Sequence, residues 1–151
     1  MADVVSIKKR SQMMSGIRSM NTRPELIVRR ALHKKGFRFR LHPSGLPGKP
    51  DIVLPKYKAV VFTHGCFWHG HDCALFKMPS TNRTFWKNKI DRNILNDKRV
   101  LNLLKEKGYR ILIVWECALK GRGKISPEKL ENDMLAWFGS KKSFNQIRGR
   151  V

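Results

Sequence analysis

Between Thr63 and Cys73, eleven residues (Thr-His-Gly-Cys-Phe-Trp-His-Gly-His-Asp-Cys) carry three of the chain's five histidines and two of its three cysteines, with an aromatic pair among them. A glycine-bearing segment this short and polar cannot order itself by burial, so it calls for an organising metal. Cys66, His71 and Cys73 supply three soft or borderline ligands within eight residues, and Cys117 is the remaining cysteine. A tetrahedral Cys3His site therefore uses every thiol, and the expected ion is one structural zinc. It would staple the loop to the element that carries Cys117. Two alternatives stay open: three buried free thiols, or a catalytic zinc held by His64, His69 and His71 with an open coordination position.

The rest of the composition narrows the partners. The 32 Lys and Arg against 11 Asp and Glu give a formal charge of +21, and the basic residues run from Lys8 to Arg150. A field of that size disfavours compaction, so a polyanion is the expected partner, nucleic acid before an anionic membrane. No apolar run approaches the roughly 20 residues that span a bilayer, and the N-terminus has no signal-peptide core. Three cysteines cannot all pair, which argues against a disulfide framework and for a reducing, cytoplasmic compartment. At 151 residues the chain has room for one domain.

Its organisation is an alternation of helices and strands. Residues 1–20 form a basic arm in which Met13, Met14, Ile17 and Met20 share one face of a short helix. Thr22-Arg23-Pro24-Glu25 is a capping box with proline in the first turn, opening a helix that Gly36 ends. Phe37, Phe39 and Leu41 alternate with Arg38 and Arg40 as a strand. Ile52–Leu54 and Ala59–Phe62 flank a turn at Pro55-Lys56 and read as an antiparallel hairpin. Pairing outward from that turn brings Asp51 to the level of Val60 to Phe62, at the sheet edge where Thr63 begins. Thr81 or Asn82 caps a long basic helix with Phe85, Trp86, Ile90, Ile94, Leu101 and Leu104, closed by Gly108. Ile111–Trp115 is a continuous apolar strand, expected to be central, that delivers Glu116 and Cys117 to its end. Ser126-Pro127 opens a last helix. The expected domain is 21–139, and 140–151 reads as a flexible basic tail.

Pro50-Asp51, then Phe62-Thr63-His64-Gly65-Cys66-Phe67-Trp68-His69, then Trp115-Glu116-Cys117-Ala118-Leu119 closely resemble the very short patch repair (Vsr-type) mismatch endonucleases. The likeness spans roughly residues 10 to 138. It implies an α/β fold of the restriction-endonuclease-like, PD-(D/E)xK-related kind, a mixed sheet flanked by helices, with Phe62-Thr63-His64 where an acidic-x-Lys element usually stands. By the same resemblance, Asp51 bridges two magnesium ions, joined by the Thr63 carbonyl oxygen. His69 is the general base, His64 assists at the phosphate, and Glu25 orients a metal-bound water unless it serves only the capping box. The implied reaction is a nick 5′ of the thymine in a T·G mismatch, arising from deaminated 5-methylcytosine, in double-stranded DNA of a bacterial cytoplasm. Phe67, Trp68 and Trp86 become intercalating aromatics, and Met14 inserts from the minor groove. A monomer suffices, and contact with other mismatch-repair proteins is left open.

Each assignment has a plainer counterpart. Trp86 shares a helical face with Ile90 and Ile94 and on periodicity alone is core; Met13 and Met14 could simply pack the arm; His64 could satisfy a carbonyl. Lys87, Lys89, Arg92, Lys98, Arg99, Lys105 and Lys107 set affinity for phosphates and not sequence. Gly70 and Asp72 depart from the denser histidine run of some relatives, at positions not needed as ligands. The rival functions are a zinc-stapled DNA-binding module without catalysis and a hydrolase that uses zinc on the histidines.

Overall fold

The computed structural model describes residues 22–150; the basic arm and Met14 lie outside the described residues. Helix α1 (Arg23–Lys34) starts where the capping box places it: the Thr22 hydroxyl accepts from the Glu25 N–H at 3.4 Å, and Pro24 sits in the first turn. Gly36 ends it with φ +80°. Strand β1 is only Arg40–Leu41, shorter than the alternation from Phe37 suggests. Phe37 instead packs its ring on Tyr57 and Phe138, 5.6 and 4.8 Å between centroids, so aromatic contacts take over before the ladder begins.

Strands β2 (Ile52–Leu54) and β3 (Ala59–His64) form the expected hairpin, with Ile52 opposite Val61 and Leu54 opposite Ala59. A 3-10 turn at Pro55–Tyr57 joins them, and Lys58 closes it in the left-handed region. Helix α2 (Arg83–Glu106) follows, then β4 (Arg110–Trp115), a 3-10 turn at Glu116–Ala118, α3 (Pro127–Phe138) and β5 (Phe144–Ile147). The five strands run in the order β1-β2-β3-β4-β5; β1, β2 and β3 pair antiparallel, and β3, β4 and β5 pair parallel. Asn82 stands at the N-cap of α2 in the left-handed region and makes no side-chain cap, so neither expected capping side chain performs that role.

The basic tail needs correction. Phe144–Ile147 adds a fifth strand, Ile111 opposite Phe144 and Val114 opposite Ile147. Arg110 explains why so polar a stretch orders: its guanidinium donates to the carbonyls of Trp137, Phe138 and Ser140, its Nε to that of Lys142, and it stacks 4.4 Å over Trp137. That one residue both closes α3 and feeds the chain back onto the edge of β4. The apolar run 111–115 is interior to the sheet because β5 covers it.

Alternation along the strands makes a three-layer molecule. Ile52, Leu54, Val61, Leu112 and Val114 face α1 and α3, packing on Val28, Leu32, Leu130, Met134 and Trp137. Val53, Val60, Phe62, Ile111, Ile113 and Trp115 face Val100 and Leu104 of α2. Burying each such aliphatic side chain contributes about 1.5–3 kcal/mol. Because β2 opposes β3 while β4 parallels it, Asp51, the end of β3 and the end of β4 meet at one end of the sheet. Among the described residues, no helix is long and apolar enough to cross a membrane.

Candidate functional site

At that end three side-chain clusters adjoin, and backbone pairing places each. Asp51 precedes β2, and its Oδ2 accepts the Thr63 N–H at 2.6 Å, which holds the carboxylate against the end of β3. Glu25 approaches from α1 and pairs with Arg29 at 3.1 Å. Burial pushes the Asp51 carboxyl up to about 7; the Thr63 N–H works against that rise, and the neighbouring Glu25 carboxylate adds to it. Two buried acids side by side are a donor set for a hard cation. Asp51, Glu25 and His42 offer ligand atoms within 4.8 Å of one another.

The second cluster is His64, His69 and Asp97, likewise within 4.8 Å. The two imidazoles stack at 3.7 Å with planes 2° apart. His64 is buried, and burial first and then the facing His69 hold its pKa well below the usual histidine range, so the ring is neutral. Among the described residues its Nδ1 has no hydrogen-bond partner. His69 Nδ1 lies 2.6 Å from Asp97 Oδ2, which fixes the tautomer with Nδ1–H donating and leaves Nε2 as the basic atom. Gly48, Phe62, Val100 and Leu101 help these residues enclose a cavity of about 130 Å³. Asp97 was not foreseen, although it falls on the stripe Ile90, Ile94, Leu101 and Leu104 where an acid is out of place.

Cys66, His71, Cys73 and Cys117 make the third cluster, again within 4.8 Å. Both Cys66 Sγ and Cys117 Sγ stand 3.6 Å from His71 Nδ1. Around tetrahedral zinc, bonds of about 2.3 Å to sulfur and 2.05 Å to nitrogen give an S···N edge of roughly 3.6 Å, so the residues fit that ion. The sulfurs also accept backbone N–H groups, Cys66 from Cys117 at 3.3 Å and Cys117 from Gly149 at 3.2 Å. Burial drives the Cys66 thiol far above its ordinary range, and burial lowers His71, with Arg148 adding to the effect. The histidine is therefore in its ligand form, and the buried Cys66 thiol calls for a metal to ionise. His71 lies with the thiols while His64 and His69 lie with Asp97, so the three histidines do not form one site.

Between the second and third clusters the loop lifts its aromatics outward. Gly70, at φ +62°, lets the loop lie on α2, where a Cβ would stand 2.7 Å from Ile94 and 2.8 Å from Ile90. Asn93 donates to the Trp68 carbonyl at 2.8 Å and ties it there. Trp86 is 5.5 Å from Phe67 and 6.0 Å from Trp68 between ring centroids, and Phe85 joins it at 5.1 Å. Trp86 is half-buried in this group and not in the core that periodicity alone assigns it. Trp68 is 46% exposed and Phe85 54%, an apolar platform on a basic chain.

Fold and site together define an α/β protein with metal-competent clusters at one end of a mixed sheet and stacking aromatics beside them. The profile described as DNA mismatch endonuclease Vsr matches residues 2–75. The DNA mismatch endonuclease Vsr of Escherichia coli is 44% identical over 147 residues, covering 97% of this chain and 94% of that protein. The type II nicking enzymes V.XorIIP of Xanthomonas oryzae and V.NmeAIP of Neisseria meningitidis are each 45% identical, over 83% and 86% of this chain and 92% of their own. The chain belongs to the Vsr DNA mismatch endonuclease family.

Proposed function

We propose that this protein is a magnesium-dependent endonuclease of the bacterial cytoplasm that nicks DNA 5′ of the thymine in a T·G mismatch, on a restriction-endonuclease-like fold stapled by zinc. The observation that carries the reading is the juxtaposition at the end of β3. There the Thr63 N–H holds Asp51, and the next residue, His64, stacks on an Asp97-oriented His69. Relatives named as a mismatch endonuclease and as nicking enzymes support the same class.

Asp51 and the Thr63 carbonyl oxygen would hold the magnesium, with Glu25 orienting a bound water. When bound, such ions activate water and neutralise charge at a transferring phosphoryl group. His69 Nε2 takes the proton of the attacking water, and Asp97 stabilises the imidazolium that results. His64, kept neutral by burial, hydrogen-bonds at the phosphate without bringing a charge of its own. Cys66, His71, Cys73 and Cys117 hold the structural zinc that aims the loop.

Phe67, Trp68 and Trp86 serve as the wedge. A mismatched step unstacks at less cost than a paired one, so inserted aromatics collect the difference as selectivity. Met14, outside the described residues, would contact the minor groove, the nuclease machinery would lie on the sheet and helices that run from α1 through β5, and one protomer suffices because a lone mismatch is asymmetric. Trp68→Ala should leave the melting temperature within about 2 °C, since the ring is half exposed, yet reduce the preference for mismatched over paired duplex about tenfold. Fluorescence anisotropy with the two duplexes checks this, and an unchanged ratio would remove Trp68 from the wedge.

The direct test is an end-labelled duplex with one T·G mismatch beside its paired twin, with magnesium and with magnesium left out. Nicking beside the thymine only with magnesium is the expected result, lost in His69→Ala while one zinc per chain remains. Tight, mismatch-preferring binding without cleavage would favour a zinc-stapled binding module. Cleavage sustained by zinc alone would move the catalysis to the histidines.

A further inference from the structure

The mechanism above uses the backbone of Thr63 and leaves its side chain idle. Yet the hydroxyl oxygen is buried and, among the described residues, has no hydrogen-bond partner. Leaving a buried hydroxyl unpaired is costly, so such a group is kept where an oxygen from outside the chain meets it. Register places this one. Thr63 lies opposite Val114, which with Val61 packs on α1 and α3, so the Thr63 side chain faces the layer from which α1 brings the buried Glu25 to Asp51. The Thr63 N–H reaches Asp51 Oδ2 at 2.6 Å. Covalent geometry keeps a threonine hydroxyl about 3–4 Å from its own nitrogen, so this one stands no more than roughly 6 Å from that carboxylate, the span of one bridging water. A second orphan flanks the same acids: Arg29 Nε is buried without a partner, on the guanidinium whose Nη2 holds Glu25 at 3.1 Å.

We infer that the Thr63 hydroxyl is a positioning group: its oxygen accepts a hydrogen bond from the water that Glu25 orients at the magnesium site. The inference deepens the nuclease reading and rests on it for the reaction, though not for the binding of the ion. Magnesium keeps several of its waters, and each retains two protons to donate. With Glu25 accepting one and Thr63 Oγ1 the other, both O–H directions are fixed and the water cannot turn about its bond to the ion. A lone carboxylate would leave that rotation free. Thr63 thus serves the site with three atoms: the N–H holds Asp51, the carbonyl oxygen faces the ion, and the hydroxyl holds the water. Serine keeps all three, whereas valine keeps the branched shape that suits a strand and loses the oxygen alone.

The test compares full-length, zinc-loaded wild type with Thr63→Val and Thr63→Ser. Isothermal titration calorimetry without DNA gives the Mg2+ affinity, and single-turnover nicking of a T·G duplex at saturating DNA and Mg2+ gives the rate. Thr63→Val should melt no lower than wild type and keep one zinc per chain. It should nonetheless bind Mg2+ about tenfold more weakly and nick about tenfold more slowly, while Thr63→Ser stays within about threefold of wild type in both. A hydroxyl with a merely structural partner would instead make Thr63→Val melt lower and leave its Mg2+ affinity unchanged, which would overturn the inference. Wild-type nicking that Thr63→Val matches at equal Mg2+ affinity would also sink it and leave the nuclease reading intact. Weakened Mg2+ binding by Thr63→Val in a protein whose wild type never nicks mismatched DNA would keep the hydroxyl at the ion and sink the nuclease reading instead.

Discussion

Asp51→Asn is expected to lower nicking by about 10³-fold or more and, above neutral pH, to make the protein more stable. The loss of activity follows from removing the carboxylate that would hold magnesium, a contribution on the scale of the largest electrostatic terms in catalysis. The gain follows from the position of its proton equilibrium. Folding raises the Asp51 carboxyl from 3.8 to about 7, with burial as the main cause. Between those values the native state holds a proton that the unfolded chain has released, so stability falls as pH rises from about 4 to 7 and the full penalty is present at pH 8. A rise of that size, to which the neighbouring Glu25 carboxylate adds and which Arg29 opposes, corresponds to at most about 4 kcal/mol. Asn keeps an oxygen to accept the Thr63 N–H and carries no charge to bury. In zinc-loaded protein without magnesium, the variant should melt roughly 3–10 °C above wild type at pH 8 and level with it near pH 4. A variant less stable than wild type at pH 8 would mean that the surroundings already neutralise Asp51, and the case for a cation there would lapse.

The sequence discloses those parts of this molecule that depend on residue type or on neighbours along the chain. The β2–β3 hairpin is local, so its register, and with it the meeting of Asp51 and Thr63, follows from a turn at Pro55 and a run of β-branched residues. The Cys66, His71, Cys73 and Cys117 cluster is legible because thiols and imidazoles have few other reasons to gather. Asp97 was hidden because its partner His69 lies 28 residues earlier and meets it only when α2 packs across the sheet. Its signal was an acid on an apolar stripe. His42 carried less still, since its place depends on a positive φ that nothing in its side chain demands. Strand β5 was masked by the basic residues around it, and what orders it is one arginine more than thirty residues away whose guanidinium gathers the carbonyls after α3.

Loss of zinc should be the most damaging single change to the fold at this end of the sheet. The ligands come from a loop and from the turn after β4, so one ion would join segments 44 residues apart in sequence, Cys73 to Cys117. Structural zinc is worth about 10–16 kcal/mol in small domains, against a total stability of about 5–15 kcal/mol for ordinary ones. Cys73→Ala removes a ligand from the more open side of the cluster, whereas Cys117→Ala also takes away the sulfur that accepts the Gly149 N–H. Both should fall below half a zinc per chain and melt at least 10 °C lower, Cys117→Ala the further of the two because the end of the chain comes loose as well. Magnesium should restore neither. Nicking and mismatch preference should disappear together, because the loop aims His69 and Trp68 alike. This pattern separates a staple from a catalyst: Asp51→Asn should keep one zinc per chain, its fold and its affinity for DNA while losing only the cut. If chelated, zinc-free protein kept its melting temperature and still nicked, the four side chains would be a packed thiol cluster, and the loop would owe its shape to Gly70 and Asn93 on α2 alone.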